Sequence, residues 1–216
     1  MDTLKIELKN FWNWSKTNIK ALAQFGWINS LEPFEYPNWT RLIEETKLAI
    51  SNLSNSNSSL VIYENILTVM ALDNEAEEIL DYFETYNSVE LDKVIEFGIE
   101  HPLCDARWQI AELIGRKKEK TYLPYLELLI KDPNAYVERR ALISMNKVNQ
   151  ERAEEMAFDK LSSQDDYIRL VSLRILIEQK SVLIQHALDI LRTDSFEYIK
   201  QEIEQYKRSN CTSPNT

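Results

Sequence analysis

The residues best suited to metal binding or acid–base chemistry are few and scattered along the chain. His101 and Cys104 form an H-x-x-C motif, but the chain's other histidine, His186, lies far from them in sequence. A structural zinc site needs about four ligands, and no second pair of ligands follows this one. We therefore expect no metal site, and we interpret His101 as part of a turn between helices.

The sequence also lacks the loops that nucleotide binding and acyl transfer require. Loops that hold phosphate groups are rich in glycine, whereas this chain of 216 residues contains only Gly26, Gly98 and Gly115. No Gly-x-Ser-x-Gly motif presents a nucleophilic serine at a sharp turn. We therefore expect no cofactor, and a protein that binds rather than catalyses.

The net charge of −10 is concentrated in one stretch of the chain. Residues 51–100 carry eleven acidic side chains and one basic side chain, Lys93, while the flanking segments are close to balance. An acidic surface repels phosphate backbones and attracts basic proteins. The alternative is that these carboxylates only solvate helix faces, and both interpretations remain open.

The elements that must position these side chains follow a period of about 31 residues, which lies in the range of helical repeat proteins. Three columns of apolar or small residues recur at this interval, spaced i, i+1 and i+4 as on the buried face of a helix. The columns are Ile79, Ile110, Ala141 and Ser172; Leu80, Ala111, Leu142 and Leu173; and Phe83, Ile114, Met145 and Leu176.

A second helix in each repeat keeps the same period. Its columns are Ile95, Leu126, Ala157 and Leu188, followed by Ile99, Ile130, Leu161 and Arg192. We predict helix pairs at 75–100, 105–131, 136–162 and 167–192, and a final helix at 195–207. Because one short pair cannot bury its apolar faces alone, neighbouring pairs must stack.

The segment 1–72 does not keep this period. We predict helices at 3–25, 39–52 and 60–72, a loop at 32–37 and a polar loop at 54–59. The domain organisation is then an irregular helical cap (1–72), repeats (73–208) and a disordered tail (209–216). Four tryptophans of the cap either close the end of the core or anchor an interface: Trp12, Trp14, Trp27 and Trp39.

The repeats resemble the HEAT-like family. The motif appears as Asp105-Ala106-Arg107 followed by Ile110-Ala111, and again as Tyr167-Ile168-Arg169 followed by Ser172-Leu173. Glu138 replaces the arginine in the repeat between them. The resemblance implies a right-handed α-α superhelix, a solenoid whose second helices line a concave face. It implies a protein-binding scaffold, a lyase-related subunit or a DNA glycosylase that acts on alkylated bases.

The glycosylase alternative requires a basic face, a tryptophan and a carboxylate. Trp108 and Asp105 weakly match the last two requirements. Affinity for DNA comes chiefly from basic side chains that neutralise phosphates, and the acidic charge opposes it. The cluster Arg116, Lys117, Lys118 and Lys120 falls in a loop. We therefore expect no nucleic acid as partner.

We predict a protein-binding module with an acidic surface for a basic protein, and specifically a bacterial immunity protein that neutralises a toxin such as a nuclease. An assembly scaffold remains an alternative, since it needs the same surface. The predicted partner-binding residues are Glu77, Asp81, Asp92, Glu96, Glu127, Glu154, Phe158 and Asp189.

We expect this protein in the cytoplasm, with no membrane as partner. The segment 1–10 has no apolar stretch of signal-peptide length, and no window approaches the roughly 18 apolar residues of a membrane span. Cys104 and Cys211 are too far apart in sequence to indicate a disulfide, which fits a reducing compartment.

Overall fold

The computed structural model describes residues 3–27, 32–55, 60–86 and 90–211, and these ranges are all-α, without a strand. The α-helices are α1 Thr3–Ser15, α2 Ile19–Phe25, α3 Trp39–Ser51, α4 Leu60–Leu72, α5 Glu78–Thr85, α6 Glu90–Gly98, α7 Cys104–Lys117, α8 Leu123–Leu129, α9 Ala135–Val148, α10 Gln150–Lys160, α11 Asp166–Glu178, α12 Ile184–Ile190 and α13 Glu197–Cys211. Short 3₁₀ turns precede α3, follow it and precede α8. The all-α prediction is confirmed.

The chain divides into two compact units, Met1–Lys117 and Lys118–Thr216, hereafter unit 1 and unit 2. The division falls between α7 and α8. Unit 1 therefore contains α1 to α7, and unit 2 contains α8 to α13.

The predicted period is visible in the helix starts. The helices α7, α9, α11 and α13 begin at Cys104, Ala135, Asp166 and Glu197, which are equally spaced along the chain. All members of the three apolar columns on the first helices are fully buried, including the small residues Ala141 and Ser172. The sequence pattern therefore identified the buried faces of these helices correctly.

The same side-chain contact recurs after two periods of the repeat. In unit 1, Arg107 Nη1 donates to the carbonyl oxygens of His101 at 2.7 Å and Pro102 at 3.3 Å. In unit 2, Arg169 Nη1 donates to those of Ser163 at 2.9 Å and Gln164 at 3.4 Å. Each arginine therefore satisfies carbonyls of the turn that precedes its own helix.

The repeat that lacks this arginine uses another cation. Glu138 occupies the position, and Lys160 from α10 pairs with its carboxylate while donating to the Ile130 carbonyl at 3.3 Å. The acidic residue is thus matched by a lysine that also satisfies a carbonyl at the end of α8.

Within unit 2, consecutive helices pack as hairpins. α9 contacts α8 and α10, α11 contacts α10 and α12, and the first helices α9, α11 and α13 contact one another in that order. The helix α13 runs to Cys211, beyond the predicted end at 207, and the remaining residues of the predicted tail, 212–216, lie outside the described residues.

Helix α4 is the centre of unit 1. Its second half, Ile66 to Leu72, is buried on every side, as expected for a helix that is hydrophobic all round. It contacts α1, α3, α5, α6 and α7. Its C-terminal end leads directly into Asp73, a residue of the candidate site described below.

The single helix predicted at 3–25 is wrong, because the chain forms α1 and α2 with a break at residues 16–18. Lys16 adopts a left-handed backbone with φ 54°, which ends α1. Asn18 then accepts a hydrogen bond from the Ala21 amide and caps α2. Asparagine is among the best N-capping residues, so Asn18 is a local signal for the break. The polar loop predicted at 54–59 lies mostly outside the described residues.

Candidate partner-binding surface and pocket

Four carboxylates of unit 1 converge on one guanidinium. Arg116, at the end of α7, pairs with Asp81 at 2.7 Å, Glu77 at 2.8 Å, and Glu84 and Glu112 at 3.2 Å. We call these four carboxylates the acidic cluster. Because one positive charge faces four negative charges, the cluster remains acidic after pairing.

The carboxylates of the acidic cluster are held in place by ion pairs, and two of them remain exposed. The side chains of Asp81 and Glu84 are 65% and 50% exposed, whereas that of Glu112 is 9% exposed. Lys117, the next residue, donates to the carbonyls of Glu84 and Tyr86 at the end of α5. Both cations therefore fasten α5 to α7 and leave two carboxylates at the surface.

Glu77 and Asp81 were both predicted to bind a partner. In the structure, both form intramolecular ion pairs with Arg116. The other predicted residues of unit 1, Asp92 and Glu96, are exposed on α6. Within the described residues Glu96 makes no ion pair, and the same is true of Glu100 just beyond the helix. These two carboxylates, like Glu64 and Glu75, are exposed acids of the acidic stretch 51–100 that make no ion pair within the described residues.

In unit 2 the predicted partner-binding residues do not form a uniformly acidic surface. Glu127 pairs with Arg152 at 2.8 Å, which neutralises it. Phe158 of α10 lies against the imidazole of His186 on α12, with ring centroids 5.1 Å apart. Glu154 is half-buried and Asp189 is exposed.

Unit 1 also contains a pocket of about 410 Å³ that the sequence analysis did not predict. We call it the Trp39 pocket. Its apolar lining includes Pro33, Phe34, Trp39 and Leu72, and its acidic lining comprises Asp73 and Glu75. Among the residues that the structure describes, no basic side chain lines it.

Asp73 is the unusual group of this pocket. The residue is only 2% exposed, and its Oδ2 accepts a hydrogen bond of 2.8 Å from the Ile79 amide in the first turn of α5. Its Oδ1 is buried and has no hydrogen-bond partner among the described residues. Burial raises the pKa of Asp73 to about 7, and the nearby Glu78 carboxylate adds to the effect. An orphaned buried acceptor is costly, so it calls for an explanation.

Four tryptophans of unit 1 gather around one buried aromatic ring. Phe11 is fully buried, and its ring centroid lies 5.0 to 6.4 Å from those of Trp12, Trp14, Trp27, Tyr36 and Trp39. All four tryptophans remain partly exposed. Each therefore has a packed side and an open side, and Trp39 also lines the pocket.

His101 is buried and hydrogen-bonded inside unit 1. It is 4% exposed, its Nδ1 accepts from the Leu103 amide at 3.3 Å, and its Nε2 lies 3.3 Å from Thr68 Oγ1. Burial lowers the pKa of His101 to about 4, so the imidazole is neutral near pH 7. Within the described ranges no group of three or more His, Cys, Asp or Glu residues is arranged to hold a metal ion.

The residues considered for DNA chemistry are engaged inside unit 1. Trp108 is 4% exposed, and its Nε1 donates to Asp105 Oδ1 at 3.0 Å. Of the predicted basic cluster, Arg116 and Lys117 are bound to α5 as described above. The indole therefore has no open face on which a base could stack.

No protein-family model and no curated protein matches the chain. In the part of the chain that the structure describes, no helix has the length and apolarity needed to cross a membrane.

The acidic character of unit 1 was readable from the sequence, but the pocket was not. Its walls come from residues 33–39 and 72–76, which are far apart along the chain. One local signal was present: Asp73 directly follows the apolar run Val69-Met70-Ala71-Leu72. A carboxylate at the end of a fully buried helix is a candidate for burial itself.

Proposed function

We propose that this protein binds a basic protein partner through the acidic surface of unit 1. The observation that carries the proposal is the acidic cluster, in which four carboxylates share one arginine and two of them remain at least half exposed. Side chains that are already held in place lose little conformational freedom on binding. A cationic surface can therefore meet them at a lower entropic cost.

The distribution of charge supports unit 1 over unit 2. The segment 1–117 contains nineteen acidic and ten basic side chains, whereas 118–216 contains sixteen and fifteen. Acidic fields of this kind raise the rate of encounter with basic partners by roughly 10- to 1000-fold at low salt. Unit 1 is therefore the unit whose charge attracts a basic partner.

The specific form of the proposal is a cytoplasmic immunity protein that neutralises a basic toxin, such as a nuclease. A nuclease needs a basic surface to bind its phosphate substrate, and an acidic protein that covers this surface blocks the substrate. The HEAT-like solenoid remains the architecture that we propose for the repeats.

The test begins with zero-length coupling of carboxylates to lysines in an extract of the source cells, followed by mass spectrometry of the joined peptides. The expected partner has a basic surface, and its lysines are joined to carboxylates of unit 1. An acidic partner, or coupling confined to unit 2, contradicts the proposal.

Charge reversal then locates the surface. Glu96→Lys with Glu100→Lys changes two exposed carboxylates that the fold does not pair, whereas a lysine at Glu77 or Asp81 would face Arg116 and disturb packing. We expect the association rate constant at low salt to fall at least about tenfold, with a weaker salt dependence. The free energy of unfolding should change little.

The matched control is Asp159→Lys with Asp189→Lys in unit 2. These two carboxylates are also exposed, make no ion pair within the described residues, and give the same change in net charge. Their reversal should leave the rate constant within about twofold. Equal effects of the two double variants would remove unit 1 as the docking surface.

A further inference from the structure

The Trp39 pocket has the composition of a site for one cationic side chain. Its volume of about 410 Å³ lies at the lower end of the range of ligand pockets, which is about 300–1,000 Å³. A large part of its lining is apolar, and two of its lining residues, Asp73 and Glu75, are acidic. A long apolar stem that ends in a positive charge matches both parts.

The aromatic lining favours a cation over a neutral apolar group. Trp39 is half-buried, and Phe34 is 55% exposed although it is a large apolar residue. A cation over the face of an aromatic ring gains about 0.5–2 kcal/mol, and tryptophan is the best such ring. Aromatic rings that are at least partly exposed, beside carboxylates, therefore provide two independent sources of attraction for the same charge.

The acidic lining of the pocket also favours a cationic ligand. Glu75 is an exposed residue of the lining, and Asp73 has a buried oxygen with no hydrogen-bond partner among the described residues. The positive charge that opposes the raised pKa of Asp73 is that of Lys47, which pairs with Glu78 at 2.8 Å. The carboxyl of Asp73 is thus a buried acid without a counter-charge of its own. An anionic ligand would be repelled by Glu75, and an apolar ligand would leave the buried Asp73 oxygen without a hydrogen-bond partner.

We infer that the Trp39 pocket receives an arginine side chain of the basic partner. This inference rests on the proposed function for the identity of the partner, but the recognition chemistry belongs to the pocket. Arginine suits it better than lysine because its planar guanidinium stacks on aromatic rings and presents several donors to carboxylates. Partner binding would then combine a charged surface for encounter with one anchoring side chain, as in other interfaces where arginine is enriched among the dominant contacts.

The experiment titrates the full chain with N-acetyl-arginine amide and follows the indole resonance of Trp39 by NMR. N-acetyl-citrulline amide is the matched probe, because it has nearly the same shape and carries no charge. We expect saturable binding of the arginine probe at millimolar concentration, and binding of the citrulline probe at least about tenfold weaker. N-acetyl-lysine amide should bind several-fold more weakly than the arginine probe.

Variants of the pocket complete the test. Glu75→Gln changes an exposed residue and should weaken binding several-fold, while Trp39→Leu and Asp73→Asn should each weaken it about tenfold. Asp165→Asn is the control, since Asp165 likewise accepts from an amide in the first turn of a helix, Ile168 N at 2.9 Å, but lies in unit 2. It should leave binding unchanged.

Several results would overturn the inference. These are no saturable shift of the Trp39 indole, equal binding of arginine and citrulline, equal binding of arginine and lysine, or unchanged binding in Glu75→Gln. The titration uses no partner protein, so it reports on the pocket alone. If the pocket fails while reversal of Glu96 and Glu100 still slows partner association, only the arginine anchor is lost.

Discussion

At the residue scale, two buried titratable groups of unit 1 act in opposite directions on stability. The folded protein keeps His101 neutral down to about pH 4, so its contribution to stability is complete above pH 6.5 and is lost as the pH falls toward 4. Asp73 has a pKa raised to about 7. The folded protein therefore holds a proton that the unfolded chain releases near pH 4, and stability falls as the pH rises from about 4 to 7.

His101→Asn should separate these two effects. The asparagine oxygen can accept from the Leu103 amide in place of Nδ1, but it does not titrate. Lowering the pKa of His101 from 6.5 to about 4 corresponds to about 3 kcal/mol of stability. When the pH falls from 6.5 to 4, the free energy of unfolding of the natural protein should therefore decrease by about that much more than that of the variant. Urea unfolding at several pH values measures the difference, and parallel profiles of the two proteins would contradict it.

At the element scale, the approach of α6 to α7 is controlled by one glycine. A Cβ at Gly98 would overlap Ile110 Cγ1 and lie 2.7 Å from Ile110 Cδ1. One period later the same two positions are Leu129 and Ala141, both buried. In the first pair the small residue is Gly98 and the large one is Ile110, whereas in the second pair the large residue is Leu129 and the small one is Ala141. The spacing along the chain is therefore kept although the sizes of the two residues are exchanged.

Gly98→Ala should destabilise unit 1 by about 1–3 kcal/mol, because a methyl group is forced into a packed interface. Urea unfolding measures the loss. Adding Ile110→Ala removes the two closest atoms that the new Cβ would meet and leaves only Leu67 Cδ2, at 3.2 Å, of the three nearest. The double variant should therefore be more stable than the sum of the single effects predicts, and simple additivity would contradict the packing explanation.

At the scale of the whole molecule, the boundary between the units should be its most accessible point for proteolysis. Lys118 is exposed and has a left-handed backbone with φ 57°, and Lys120 follows it before α8. Cleavage needs local unfolding of several residues, which costs least where few packed contacts must be broken. Limited trypsin digestion should therefore cut first after Lys118 or Lys120.

Lys180 provides an internal control for this prediction. It is also exposed and has φ 53°, but it lies inside unit 2 between α11 and α12. Mass spectrometry of the first fragments should show cleavage at 118–120 well before cleavage at 180. An initial cut at Lys180 would contradict the division into two compact units.

The sequence alone determined the helical class and most helix positions, because these depend on residues close together along the chain. The recurrence of apolar residues along the chain determined the repeat period. The starts of α7, α9, α11 and α13 fell within two residues of the predictions. The break at Lys16 was missed because lysine seldom adopts a left-handed backbone, and the local signal was the capping residue Asn18.

Only the tertiary structure decided which charges are available and where a ligand could enter. Arg116 meets Glu77 and Asp81 across 39 and 35 residues, and the Trp39 pocket joins 33–39 to 72–76. Pairing and enclosure depend on distances in space between side chains that are remote in sequence. A list of carboxylates therefore indicated an acidic protein, and the packing of helices selected the ones that a partner can reach.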